Sequence, residues 1–383
     1  MPKPPLKILA LVPYRIYPAQ MGGQKGIALL YKYLSQVCSF QALGVQSNTK
    51  PTEYELHSVI SDSRWRYLNP ALFWLLRKHA LKSQPHFLLF EHPYFAWLIL
   101  LCKWFMPFPC IVHSHNIESE RFRSIGKWWW KGLWFYEKLA YRLANQVWFK
   151  TPEDQNFAIQ HYGLLPNRTF VVPYGIEARQ LPDPLACEQA RESVRAEFGI
   201  STHTQILFFN GTLDYSPNLE ALKHILFDIH PLLEKWTLDC AIIVCGKNLP
   251  PELEELQAFR SKQIFYAGFV QDIDLYFKAC DLFLNPLLDG GGIKTKLVEA
   301  LGFGKKAVST VSGAFGVPED QCGGRLSVVE DRNWAAFADA VKTLLPQTIK
   351  NDHAAFYNYF SWPSIAGQIQ QHLYKSSSTI NIE

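Results

Sequence analysis

Residues 285–304 read NPLLDGGGIKTKLVEALGFG, a glycine triplet followed by Lys294, Lys296 and Glu299. An apolar run precedes the segment and a helical pattern follows it. The glycines therefore sit at a strand's carboxyl end and a helix's amino end. Bare amides there, with the helix dipole, form a site for an anion, above all phosphate. Lys294 and Lys296 add full positive charge. Glu299, about one and a half turns into the helix, is a poor phosphate ligand and a good acceptor for sugar hydroxyls. Phosphate donors followed by a hydroxyl acceptor describe the diphosphate and ribose of a nucleotide. The competing account is a glycine turn that caps a surface helix.

Other polar groups are spaced for chemistry. His113, His115, Asn116 and Glu118 close the apolar run CIVHSHN, and polar groups at a strand's carboxyl end suit a site. His115 is the preferred candidate, with His113 expected on the other side of the strand or in an indirect role. Gly22 and Gly23 follow the first apolar run and precede a helix, so their backbone can approach a phosphate. Asp272 and Asp274 spell D-x-D, which elsewhere holds a metal, but Asp272 reads more simply as a helix N-cap.

The elements that must position these residues alternate. Strand candidates are KILALV, HFLLFE, CIVHSH, QVWFK and FVVPY, then QILFFN, CAIIVCG, DLFLNP and KAVST. Each is continuous and apolar, as buried parallel strands are. Helical spacing marks QKGIALLYKYLSQ and NLEALKHILFDIHPLLEKW between them. Repeated β-α units predict parallel sheets wrapped by helices. The series breaks at 178–203, which is charged, carries prolines and lacks a strand. The expected division is 1–177, a linker at 178–203, 204–355, and a C-terminal helix in 356–383 packing back on the first domain. Two doubly wound domains facing one another leave a cleft at the carboxyl ends of their strands.

Composition narrows the classes. A chain of 383 residues suits two domains, and 48% hydrophobic with 19% charged residues is globular. A net charge of +4 does not support nucleic-acid binding. Eight scattered cysteines without C-x-x-C point to a reducing compartment, and no signal peptide opens the chain. The expected location is the cytoplasm, peripheral on the inner membrane face if the next feature functions. Segment 121–145 sets Arg121, Lys127 and Lys131 beside Trp128, Trp129, Trp130 and Trp134. Basic residues beside Trp suit an anionic membrane surface, and a core-packed helix with a solvated face is the alternative.

The segment NPLLDGGGIKTKLVEALGFGKKAVSTVSGAFG resembles the donor-binding segment of glycosyltransferase family 4, retaining enzymes of GT-B fold. MGGQKG, HSHNIESERF, YEKLAYRLANQVWFKTPED, VVPYGIE, FFNGTLDYSPNLEAL, IIVCGK and YAGFVQDIDLYFKACDLFLNP follow the family's order, so the resemblance spans about residues 8–365. It implies an α/β GT-B architecture of two Rossmann-like domains and transfer of a hexose from a nucleotide diphosphate sugar. The acceptor would be a hydroxyl of a glycan or lipid-linked molecule in glycan, polysaccharide or glycolipid assembly. No metal or other cofactor is implied. The resemblance assigns catalytic roles to His115 and Lys294, with Glu299 on the ribose. Gly291, Gly292, Ile293 and Lys294 would face the diphosphate or donor sugar, joined by Thr295 and Lys296. Gly22, Gly23, Gly211 and Val270 complete the expected donor contacts.

Two departures stand out. Many members carry a glutamate eight residues before the second one, where this chain has Gly291. Many also carry an Arg and a Lys after the strand matching QILFFNG, where this chain reads GTLDYSPN. Lys294 and Lys296 are expected to supply the missing charge. Rival readings are a sugar-nucleotide epimerase and a non-catalytic sugar-nucleotide-binding or scaffold subunit. A nicotinamide-dependent dehydrogenase fails on the spacing of Gly22, Gly23 and Gly26.

Overall fold

The computed structural model describes residues 5–19, 22–289, 292–349 and 353–380. The chain divides into one unit of Met1–Gly175 with Trp362–Glu383 and a second of Ile176–Ser361. Each is built on one parallel sheet.

The first unit contains β1 (Lys7–Leu11), β2 (Ser39–Val45), β3 (Glu55–Ile60), β4 (Phe87–Glu91), β5 (Cys110–Ser114), β6 (Gln146–Phe149) and β7 (Thr169–Val171). Their order is β3-β2-β1-β4-β5-β6-β7, every pair parallel. The order reverses between β1 and β4, the topological switch point where open α/β sheets bind ligands. Leu9, Leu11, Leu88, Phe90, Val112 and Phe149 share one face of this sheet, in a core with Leu76, Leu98 and Tyr141 from helices. By the strand period of two, Ala10, Leu89, Ile111 and Trp148 take the other face. Helix Gly22–Val37 buries Ile27, Leu30, Tyr31 and Leu34 and packs beside helix Trp362–Ile380.

The second unit contains β8 (Gln205–Asn210), β9 (Cys240–Cys245), β10 (Ile264–Gly268), β11 (Leu282–Asn285), β12 (Lys306–Thr310) and β13 (Leu326–Val329). The order is β10-β9-β8-β11-β12-β13, again parallel, with its switch between β8 and β11. The glycine-lysine segment of residues 285–304 leaves β11 at that switch.

Residues 178–203 contain more than a connection. Asp183 caps helix Pro184–Phe198, which lies in the second unit against helix Ile273–Ala279. Arg191 pairs with Asp281 at 2.8 Å. Only Ala190 and Val194 of this helix are buried, so its apolar stripe is narrow and its charges face solvent. At the other end, helix Ala354–Phe360 belongs to the second unit, whereas Trp362–Ile380 returns to the first. Among the described residues, no helix is long and apolar enough to cross a membrane.

Candidate functional site

In the first unit, the carboxyl ends of β4, β5 and β6 gather a buried polar cluster. The strand register sets Glu91 beside His113, and His113 beside Trp148. Glu91 is fully buried, yet three groups converge on it. Tyr31 donates its hydroxyl hydrogen to Oε1 at 2.9 Å, His115 Nε2 lies 2.6 Å from Oε2, and His113 Nδ1 lies 3.0 Å from Oε2. His113 therefore does not turn away from His115. Residues i and i+2 of an extended chain share a face, and both rings reach one carboxylate.

Burial alone would push the Glu91 carboxyl up, but its pairing with His113 and His115 holds it well below the usual carboxylate range. Burial pushes His113 down to about 4, with the Lys150 charge adding to the shift and Glu91 opposing it. Burial also carries His115 well below its usual range, helped by His92 and His113 and opposed by Glu91. Burial thus favours the neutral imidazole at both positions. Lys150, buried just beyond β6, is pushed down to about 8 by burial, against the attraction of Glu91. His92 stacks on His115 at 4.4 Å between ring centres, and its Nε2 meets the Tyr14 hydroxyl at 2.7 Å.

The loop that carries His115 is pinned from behind. Glu137 is buried in helix Trp130–Leu143 and accepts the backbone N–H groups of Glu118 at 2.9 Å and Ser119 at 3.1 Å. Tyr141 and Tyr162 donate to the same carboxylate. These bonds satisfy the first amides of helix Glu118–Ser124 and fix where the HSHN loop ends. Metal binding by the cluster can be tested on geometry. Glu91, His113 and His115 offer ligand atoms within 4.8 Å of one another. Glu91 Oε2 already lies 2.6 Å from His115 Nε2 and 3.0 Å from His113 Nδ1. The three residues act as one another's partners.

In the second unit, helix Thr295–Gly302 begins just after Lys294. Lys294 Nζ donates to the Gly292 carbonyl at 2.9 Å, and burial lowers it to about 8, with Asp289 opposing. Lys296 Nζ lies 3.0 Å from Glu299 Oε2. Gly292, Ile293 and Thr295 are partly exposed, and the positive φ of Gly292, 71°, is backbone that glycine adopts freely. Gly291 lies outside the described residues. Gly211 follows β8, and its N–H bonds the Cys245 carbonyl at 3.1 Å. A Cβ on Gly246 would stand 1.9 Å from the Gly211 oxygen, so position 246 admits only glycine. Asp272 caps its helix by accepting from Asp274 N and Leu275 N, which occupies it structurally.

Residues 204–347 match the family model for glycosyl transferases group 1, and residues 37–180 match that for glycosyltransferase family 4. The chain belongs to the family 4 glycosyltransferases. No curated protein matches it in sequence. Solved structures share the GT-B fold of this glycosyltransferase. Sucrose-phosphate synthase from Thermosynechococcus elongatus superposes with a TM-score of 0.68 at 13% identity, covering 97% of this chain and 99% of that one. Anabaena HepE in complex with UDP gives 0.70 at 16%, covering 97% and 100%. The catalytic domain of starch synthase IV from Arabidopsis thaliana, bound to ADP and acarbose, gives 0.64 at 14%, covering 98% and 100%.

The glycosyltransferase thus uses a nucleotide-sugar donor. Of the residues expected from its sequence, the structure brings Lys294, Lys296 and Glu299 together at one helix start. Val270 packs partly buried on the second unit's core. Gly22 and Gly23 open helix Gly22–Val37 in exposed positions, where an added Cβ would meet nothing within 4 Å. Glu91, His92 and Lys150 were not singled out by sequence. Their signal was available: FEHP, like HSHN, places charge just where an apolar run ends.

The aromatic segment is split. Trp134 packs partly buried against the first unit's core, whereas Trp128 is 88% exposed. Trp129 packs on Phe122, and the ring of Trp130 lies under Arg123 at 5.1 Å. Ile125 and Phe135 are also exposed nearby in sequence.

Proposed function

We propose that the glycosyltransferase moves a hexose from a nucleotide diphosphate sugar to an acceptor hydroxyl with retention of anomeric configuration. The grouping of Lys294, Lys296 and Glu299 at the start of helix Thr295–Gly302 carries this reading. The diphosphate takes the amides of Gly291–Lys294 and the Lys294 charge, and the ribose hydroxyls take Glu299. Gly211 and Val270 lie beside the nucleotide. His115 meets the donor sugar, and Gly22 and Gly23 let backbone approach the phosphate. Breaking the anomeric bond develops oxocarbenium character at carbon and negative charge on the departing diphosphate. The catalytic task is electrostatic, met by fixed amides and lysine. The leaving phosphate accepts the proton of the attacking hydroxyl on the same face, which requires no pair of catalytic carboxylates.

A second element of the reading concerns the acceptor. Exposed Trp128 and Ile125 beside Arg121, Lys127 and Lys131 suit an anionic lipid surface. The acceptor is then lipid-linked, and the enzyme sits peripherally on the inner face of the membrane.

The deciding experiment is a thermal-shift screen against UDP, GDP, ADP, CMP and dTDP, with Glu299→Ala alongside. UDP comes first because HepE is solved with it. A ligand that binds only the folded state raises the melting temperature by mass action. The expected result is a selective shift with one nucleotide, lost in the variant. A shift that persists in Glu299→Ala would remove that residue from the ribose, and no shift with any nucleotide would favour a non-catalytic subunit.

A further inference from the structure

We propose that Glu91 is the positioning residue of the site: its carboxylate takes the Nε2 hydrogen of His115 and so presents Nδ1 as a hydrogen-bond acceptor for a sugar hydroxyl. The inference rests on the reading that His115 meets the donor sugar.

An ionised carboxylate can only accept hydrogen bonds. At 2.6 Å from Glu91 Oε2, the His115 nitrogen must supply the hydrogen. A neutral imidazole has one N–H, so Nε2 carries it and Nδ1 keeps a lone pair. The groups around His115 keep it neutral. Glu91 comes from β4 and His113 from β5, His92 stacks on the ring with Tyr14 and Glu118 behind it, and Lys150 extends from β6. Burial and the neighbouring histidines disfavour a second proton on His115 more than Glu91 favours it.

The carboxylate is itself over-determined. Tyr31 on Oε1 and His113 on Oε2 hold it in one rotamer, which in turn holds the His115 ring. A buried anion is costly unless paired and hydrogen-bonded. Glu91 is hydrogen-bonded by Tyr31 and His115, lies 3.0 Å from His113 Nδ1 and feels the Coulombic attraction of Lys150. An aliphatic residue would fill this space without any of these demands. A charge held this firmly, one contact from the candidate catalytic histidine, is an orienting device of the kind that fixes a tautomer.

The first test uses selectively nitrogen-15-labelled histidine in the intact enzyme, with His115 assigned through His115→Gln. Long-range proton–nitrogen spectra should show a protonated Nε2 and an unprotonated Nδ1 at pH 7. The opposite tautomer in the wild-type protein would overturn the proposal without any variant. Glu91→Gln should redistribute the proton between the two nitrogens, because the amide can donate as well as accept. Unchanged His115 signals in that variant would equally overturn it.

The functional arm uses UDP-glucose and UDP, or the nucleotide sugar and nucleotide selected by the thermal-shift screen. Glu91→Gln should lower kcat by about ten- to a hundredfold, the usual effect of losing an orienting partner. Affinity for the nucleotide alone should not change, and Glu91→Asp should restore part of the rate. Full activity in Glu91→Gln with His115→Ala inactive would sink the positioning role. An active His115→Ala would instead sink the reading of His115, while the tautomer result would still stand.

Discussion

Lys294 combines burial, a lysine charge and a place at a helix start, and its proposed role on the diphosphate predicts a pH dependence of donor binding. Burial lowers it to about 8 in the free protein. Its charge is therefore largely present at pH 7 and lost as pH rises through 8. If the nucleotide diphosphate is held partly by that charge, as proposed, its affinity should fall above pH 8, by up to about tenfold per unit while one proton is coupled. Calorimetric titration with UDP, or with the nucleotide chosen by the screen, between pH 7 and 9 measures this. Lys294→Gln should bind more weakly at pH 7 and lose the pH dependence. A wild-type affinity that is flat over this range would exclude Lys294 from the phosphate. The helix start that carries Lys294 and Glu299 was legible in sequence because glycines, lysines and glutamate follow one another within a single turn-to-helix segment. Glu91 was not, because its meaning depends on His113 and His115, more than twenty residues away. Only the β4–β5 register brings them together.

At the scale of elements, most interior strands were legible, and of the edge strands only β7, marked by FVVPY, was. The strands named from sequence include β1, β4, β5 and β6, and β8, β9, β11 and β12, whose neighbours bury them on both sides. β3, β10 and β13 are edge strands and half-covered, so Glu55, His57 and Ser327 interrupt their apolar runs. β2 escaped notice through Gln41 and Gly44. Helix Pro184–Phe198 was hidden for a similar reason, since only two of its residues are buried. The aromatic segment near helix Trp130–Leu143 is the element with a separate test. Trp134 faces the core, but Trp128 has its ring in solvent beside Lys127. Insertion of such a ring and attraction of the cations to anionic lipid should reinforce each other. The enzyme should sediment with vesicles containing phosphatidylglycerol and not with pure phosphatidylcholine. Trp128→Ser with Lys127→Glu and Lys131→Glu should abolish that binding without changing nucleotide affinity. Equal binding by the variant would return the segment to its packing role.

At the scale of the whole molecule, chain connectivity makes the two units unequal. The second is one continuous segment, Ile176–Ser361, whereas the first is completed only when Trp362–Glu383 returns to it. The returning helix supplies Trp362, Ile365, Ala366, Ile369 and Leu373 to the interior. Trp362 closes on Gly175, where an added Cβ would come within 2.5 Å of the indole, and its ring lies 5.7 Å from that of Tyr174. Trp362→Ala should therefore cost about 3–5 kcal/mol, the range for emptying a buried aromatic site. The loss belongs to the unit whose core it opens. Hydrogen exchange read by mass spectrometry should show amides of β1, β4 and helix Gly22–Val37 exchanging faster by roughly a hundredfold or more, since ~3 kcal/mol is more than two powers of ten in an opening equilibrium. Amides of β8, β9 and β11 should exchange at the wild-type rate. Acceleration spread evenly through both sheets would show that the C-terminal helix stabilises the molecule as one cooperative body, and the division of the chain into two cores would not describe its stability.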